Sequence, residues 1–195
     1  VGFPACIQHP VLAAEVNFNG TANILKVRPK DVPVVNASTG SVYGKVEGIC
    51  KEDSPLNTNT LYGVTKKNAE SLVSKEDNTV SLRFATGFGV SPCMRVNLLI
   101  NDLVYQAMTN KCLTIFEADA NRTFIHVHDM SRALILCLEK MLLRDFSGGL
   151  KHKVYNVGDN NMNITKRGLA EMIKSKVDCY VTYAEIGKDL DNRDY

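Results

Sequence analysis

The 195-residue sequence has no Cys-x-x-Cys pair, no excess of either charge, no long apolar run and no low-complexity tract. Each absence closes off a class of function. The six cysteines (Cys6, Cys50, Cys93, Cys112, Cys137 and Cys179) stand far apart, so neither a zinc site nor a disulfide framework is expected. They read as thiols of a reducing compartment, and the cytoplasm is the expected location. Lys and Arg total 23 against 21 Asp and Glu, and the net charge of +2 is too small and too evenly spread for a nucleic-acid footprint. Apolar runs last only a few residues, so no membrane span is expected. The opening Val1-Gly2-Phe3-Pro4-Ala5 has neither an initiator methionine nor the basic stretch of a secretory signal, and so does not read as a natural start. What remains, 45% hydrophobic and 23% charged, suits one ordinary globular core or one part of a larger enzyme.

The apolar residues follow two periods in alternation. Short β-branched runs at 32–35, 79–84, 113–116, 124–127, 154–157 and 180–183 read as strands. Stripes with helical spacing lie between them, one from Leu99 to Met108 and another from Met130 to Leu142. Weaker helical segments run from about Val11 to Leu25, from Tyr62 to Val73 and from Thr165 to Val177, with Thr165 placed to cap the last. Strands alternating with helices of this length indicate βαβ units, hence an α/β fold with a mainly parallel sheet. Such sheets bind ligands beyond the carboxyl ends of their strands. The polar stretches in that position are Ser38 to Gly44, Ala85 to Gly89 and Asp129.

Tyr62-Gly63-Val64-Thr65-Lys66 places a phenol and an ammonium on one helix face. The pair alone says little, because seven tyrosines and 15 lysines in 195 residues give roughly 0.5 such pairs by chance. Its setting is more informative, since Thr39 lies 23 positions upstream in a glycine-flanked, hydroxyl-rich turn.

Several segments, in order, resemble the extended short-chain dehydrogenase/reductase family, specifically its nucleotide-sugar epimerases and dehydratases. Val16 to Thr21 is similar to the family's Asn-x-x-Gly-Thr helix, Ser38 to Gly44 to its Ser-Ser/Thr-x-x-Val-Tyr-Gly turn, and Tyr62 with Lys66 to its catalytic pair. Leu82 to Gly89 resembles the Leu-Arg-x-x-Asn-x-x-Gly strand end. Arg122 to Asp129 resembles Arg-Asp-Phe-x-x-Val-x-Asp, and Val154 to Gly158 the Tyr-Asn-Val-Gly strand. The resemblance implies the carboxyl-terminal part of a Rossmann-like doubly wound parallel sheet over residues 1–90. A smaller substrate-binding α/β portion is implied over 91–195, with Rossmann elements returning at about 113–157. It also implies an internal fragment, because the family's opening Gly-x-x-Gly-x-x-Gly turn has no counterpart after Val1, and the segment from Asp189 to Tyr195 resembles one that continues. A fragment lacking that turn is expected to bind NAD poorly and to leave a hydrophobic sheet edge that needs a partner.

What the resemblance implies chemically is epimerisation of a nucleotide-diphosphate sugar through transient oxidation at carbon 4. NAD is the implied cofactor, with NADP left open, and the full-length relatives suggest a homodimer. Tyr62 would be the base, Lys66 would lower its pKa and hold the nicotinamide ribose, and Thr39 would bind the same sugar hydroxyl. Bringing a phenol from a pKa near 10 to neutrality requires about 4 kcal/mol, and two positive charges at about 5 Å with an effective dielectric near 20 supply about 3 kcal/mol each. Asn17 and Ala85 fall at cofactor positions. Thr86, Asn97, Leu98, Arg122 and Arg193 fall at substrate positions, the two arginines on the diphosphate. Family 4,6-dehydratases commonly follow the Thr39 position with Asp-Glu, whereas this chain has Gly40-Ser41. That favours an epimerase unless Glu47 or Glu52 substitutes for the missing carboxylates. Other readings are a dehydratase or reductase of the same family, and a non-catalytic fragment. No metal set is expected: His126 and His128 would share one strand face but have no third ligand.

Overall fold

The computed structural model describes residues 2–46, 48–143 and 153–185. In chain order the elements are α1 (Phe3–Gln8), α2 (Pro10–Ala14), a π turn (Glu15–Asn19), α3 (Gly20–Val27) and β1 (Val34–Thr39). After them come α4 (Leu61–Val73), β2 (Thr79–Phe84), β3 (Thr86–Phe88), α5 (Leu99–Asn110), β4 (Cys112–Phe116), β5 (Asn121–His126) and α6 (Val127–Leu142). β6 (Val154–Val157), β7 (Asn163–Thr165), α7 (Lys166–Lys174) and β8 (Tyr180–Ala184) complete the series. The chain divides into two compact units, residues 1–85 with 129–157 and residues 86–128 with 158–194. The chain leaves the first unit after Ala85 and returns to it at Asp129.

The first unit is a parallel sheet in the order β1-β2-β6. All six residues of β2 are buried, which is why Thr79 to Phe84 reads as a continuous run and not as an alternation. Register pairs Val34 with Thr79 and Thr39 with Phe84, and Phe84 in turn pairs with Val157. Thr39, Phe84 and Val157 thus end their strands in one row, the edge at which a parallel sheet meets its ligands. The first strand starts two residues later than its apolar run because Pro33 has no N–H to give; the first donor is Val34, to the Asn78 carbonyl at 3.0 Å. α4 packs over β1, β2 and the short turn that follows β1. The helical segment expected from about Val11 to Leu25 runs from Pro10 to Val27, with a π turn at Glu15–Asn19 between α2 and α3.

The second unit pairs β3 with β5 in parallel and β5 with β7 antiparallel, while β4 and β8 form a separate parallel pair. Its core is Leu103, Ala107, Leu113, Ile115, Phe124, Leu169, Ala170, Ile173 and Cys179. Leu113 and Ile115 face inward on β4 while their neighbours are exposed, the two-residue period of a half-covered strand. Thr165 caps α7, its hydroxyl accepting from Gly168 N at 3.0 Å, as expected. The three-residue strands β3 and β7 are too short to leave a period. His128 stands on α6 and not on a strand, because β5 stops at His126. The two imidazoles nevertheless meet edge to face at 4.7 Å, and His126 Nδ1 accepts from His128 N at 3.3 Å. No helix among the described residues is long and apolar enough to cross a membrane.

Phe124 is 1% exposed and meets Phe88 edge to face. Phe124→Ala is expected to cost about 3–5 kcal/mol of stability, read from the shift of the urea unfolding midpoint.

Candidate functional site

In the first unit the site is built from the end of β1 and the start of α4. Thr39 is buried at the last position of β1 and caps a single 3-10 turn, Gly40–Val42. Its Oγ1 accepts from Ser41 N at 3.2 Å and donates to Ser41 Oγ at 3.2 Å. α4 starts at a hydroxyl cap, Thr60, whose Oγ1 accepts from Gly63 N at 3.0 Å. Tyr62 and Lys66 are both half-buried on this helix, one turn apart and on one face. Gly63 lets the helix approach. A Cβ there would stand 2.9 Å from the Ser41 carbonyl oxygen and 1.8 Å from Thr58 Oγ1, so only a glycine brings the Tyr62 turn this close to the Thr39 turn.

Asn17 sits behind the same helix. Buried in the π turn, it donates from Nδ2 to Thr65 Oγ1 at 3.1 Å, and Thr65 Oγ1 donates to the Tyr62 carbonyl at 2.9 Å. This relay fixes the first turn of α4 from its far side. The Lys66 ammonium has no hydrogen-bond acceptor among the described residues. Burial pushes its pKa below the usual lysine value, and the charge of Glu70 partly opposes that shift. Ala85, half-buried just past β2, donates its N–H to the Val157 carbonyl at 3.0 Å, extending the sheet edge by one residue.

A buried polar network supports this edge. Arg83 binds Glu70 through Nη2 at 2.6 Å, and its Nη1 donates to Tyr43 Oη at 2.7 Å and to the Glu52 carbonyl at 3.0 Å. Because arginine only donates, Tyr43 spends its own proton on Asn156 Oδ1 at 2.7 Å. Asn156 Nδ2 then donates to the Cys50 carbonyl at 3.1 Å, and Asn156 N to Glu52 Oε1 at 2.7 Å. Burial raises the Tyr43 pKa against the pull of Arg83, which keeps the phenol a donor. Glu52 thus accepts the Asn156 backbone N–H through Oε1. Glu47 lies outside the described residues.

The remaining expected positions belong to the second unit. Thr86 is half-buried and opens β3, paired opposite Phe124. Asn97 is exposed and accepts from Arg95 Nε at 3.3 Å, and Leu98 precedes the first turn of α5. Arg122 is 3% exposed on β5, with Nη1 donating to the Asn121 carbonyl at 2.9 Å. Gly89, at φ +113°, lies under the His126 ring, where a Cβ would come within 2.5 Å of Nε2. Arg193 lies outside the described residues. Among the described residues no group of three or more His, Cys, Asp or Glu could hold a metal ion.

Sequence reasoning gave no individual role to Thr60, Thr65, Glu70, Arg83, Tyr43 or Asn156. Two of these left a signal: Thr60 is a capping hydroxyl just ahead of a helical run, and Glu70 repeats the Tyr62–Lys66 spacing once more. The rest depend on tertiary pairing.

Two outcomes follow from this geometry. Gly63→Ala is expected to destabilise the fold by about 1–3 kcal/mol by wedging α4 from the Ser41 turn, measured by chemical denaturation. Lys66→Met is expected to raise the thermal midpoint at neutral pH. A lysine whose folded pKa lies below its unfolded value binds fewer protons when folded, so its cost is largest at low pH and fades as pH rises through the window between the two values. The gain from Met should therefore shrink in scans taken at increasing alkalinity.

Residues 2–158 match the model of the NAD dependent epimerase/dehydratase family. Among curated proteins, the chain is 36% identical over 112 residues to an uncharacterized UDP-glucose epimerase, YtcB, of Bacillus subtilis, covering 54% of this chain and 35% of that protein. It is 29% identical over 177 residues to UDP-glucose 4-epimerase 2 of rice (Oryza sativa subsp. japonica), covering 78% of this chain and 43% of that one. The chain thus spans less than half the length of either relative. A solved structure of similar fold is the UDP-N-acetylglucosamine 4-epimerase of Methanobrevibacter ruminantium in complex with UDP-N-acetylmuramic acid. It has TM-score 0.80 and 20% identity, and the match covers 100% of this chain and 63% of that one. The family model spans all the described residues of the first unit and residues 86–128 of the second, and the chain belongs to the NAD-dependent epimerase/dehydratase family.

Proposed function

We propose that this protein takes part in NAD-dependent epimerisation at carbon 4 of a nucleotide-diphosphate sugar, with Thr39, Tyr62 and Lys66 as the reacting set. The observation that carries the reading is the tight approach of the Tyr62–Lys66 helix to the Thr39 turn through Gly63, with a half-buried ammonium that lacks an acceptor among the described residues. That ammonium suits a ribose hydroxyl, so the donor set fits the cofactor named by the family. The chemistry NAD supplies when bound is reversible hydride acceptance from a carbinol carbon.

The chain's own residues handle the proton. Thr39 Oγ1 holds the sugar hydroxyl, and Tyr62 Oη takes its proton as the carbon is oxidised and returns it after the sugar presents its other face. Lys66 lowers the cost of the phenolate by about 3 kcal/mol at about 5 Å and an effective dielectric near 20. Arg122 and Arg193, with Asn97 and Leu98, are proposed for the diphosphate, and Thr86 for the sugar. Asn17 supports Tyr62 from behind, through Thr65. Gly40 and Ser41 after Thr39, with Glu52 held by Asn156, favour epimerisation over dehydration. A homodimer and a cytoplasmic location belong to the same reading, in keeping with the exposed Leu61 and Val64 on α4 and the free cysteines.

The test, made on the complete reading frame that holds this chain, is conversion of UDP-glucose and UDP-N-acetylglucosamine to their 4-epimers with added NAD. Tyr62→Phe is expected to lower kcat by roughly 10²–10⁴-fold. Full activity in that variant would remove Tyr62 from its role.

A further inference from the structure

One carboxylate of the first unit has no part in the chemistry above. Glu70 lies on α4 four residues after Lys66 and eight after Tyr62, so the three share a face over two turns. It is 4% exposed, and a carboxylate so far from water must have its charge met. Arg83 meets it, with Nη2 2.6 Å from Oε1 and Nε 3.2 and 3.1 Å from the two oxygens. Oε2 also accepts from Ser38 Oγ at 2.6 Å. Ser38 is the residue immediately before Thr39. A helix and a strand packed through apolar side chains alone can slide along each other by fractions of an ångström. A short hydrogen bond to an ionised acceptor resists that slide.

The geometry points to Glu70 as a positioning residue for the Thr39–Tyr62–Lys66 set, holding α4 in register with the end of β1 through Ser38. The inference rests on the redox reading of that set. Glu70 also carries the one negative charge that acts on Lys66 among the described residues. β1 and its turn offer only the hydroxyls of Ser38, Thr39 and Ser41, and β2 offers Arg83. α1 and the π turn present Cys6 and Asn17, with Glu15 exposed. α2 has no ionisable group, Lys26 of α3 is exposed, and Lys67 of α4 itself donates to the Leu56 carbonyl.

Ser38→Ala, Glu70→Gln, their double variant and Glu70→Asp are to be compared with the parent and with Tyr62→Phe. The measurements are kcat, KM, thermal midpoint and the Lys66 titration, the last by NMR of ¹³C-methylated lysines. Ser38→Ala is expected to lower kcat about fivefold with KM and thermal midpoint unchanged. Glu70→Gln is expected to lower kcat at least about tenfold and to move the Lys66 titration down by about one pH unit. The double variant should be no worse than Glu70→Gln, because the link is already broken. Glu70→Asp should restore the Lys66 titration without restoring kcat. Full kcat in Ser38→Ala, losses that multiply in the double variant, or an unmoved Lys66 titration in Glu70→Gln would overturn the proposal. If Glu70→Gln does not fold, kcat of Ser38→Ala decides. An inactive Tyr62→Phe beside a fully active Ser38→Ala rejects the positioning role alone, whereas an active Tyr62→Phe rejects the redox reading beneath it.

Discussion

The ion pair between Arg83 and Glu70 is the constraint on which the first unit depends. Both groups are almost completely withdrawn from water, and neither could remain charged there alone. Burial works against the guanidinium, but the carboxylate and the Tyr43 hydroxyl hold its pKa above the ordinary arginine value. Each further hydrogen bond then has a determined direction: arginine can only donate, so Tyr43 accepts from it and gives to Asn156, which gives to the Cys50 carbonyl. One charge pair thereby orients residues from β1, α4, β2, β6 and the intervening loop. Removing one partner of such a pair typically costs about 3–5 kcal/mol, because the other is left buried and uncompensated.

That rigidity has a purpose at the sheet edge. Thr39 ends its strand beside Phe84, and α4 reaches the same edge because Gly63 has no side chain to hold it off. Asn17 and Thr65 pin the first turn of the helix from one side, and Thr60 caps it from below. Lys66 is the member of this assembly left unsatisfied within the described residues. A protein tolerates an ammonium whose charge is disfavoured by its surroundings when binding a ligand relieves the penalty.

Much of this was legible in the residues alone. The strands at 79–84 and 154–157 fall where their β-branched runs lie, the first buried along its whole length and the second half-buried. The long helices declare themselves by period, although α6 starts three residues early at Val127 and takes His128 off the strand. The π turn at Glu15–Asn19 left no trace, because a widened turn preserves the helical spacing on either side of it. Tyr62, Lys66 and Thr39 could be singled out because the Tyr-x-x-x-Lys spacing is local and the segments around it come in a recognisable order. Asn156 was not, because its role as acceptor for Tyr43 joins a turn and a strand 113 positions apart.

Among the described residues the polypeptide passes between its two units after Ala85, after His128 and after Val157. Neither unit is therefore a single stretch of gene. A recombination event with one crossover could not exchange either of them whole: a cut at the first passage would separate β6 from the strand it pairs with, and a cut at the last would part β7 from β5. Exchanging either unit whole takes a crossover at every passage between them.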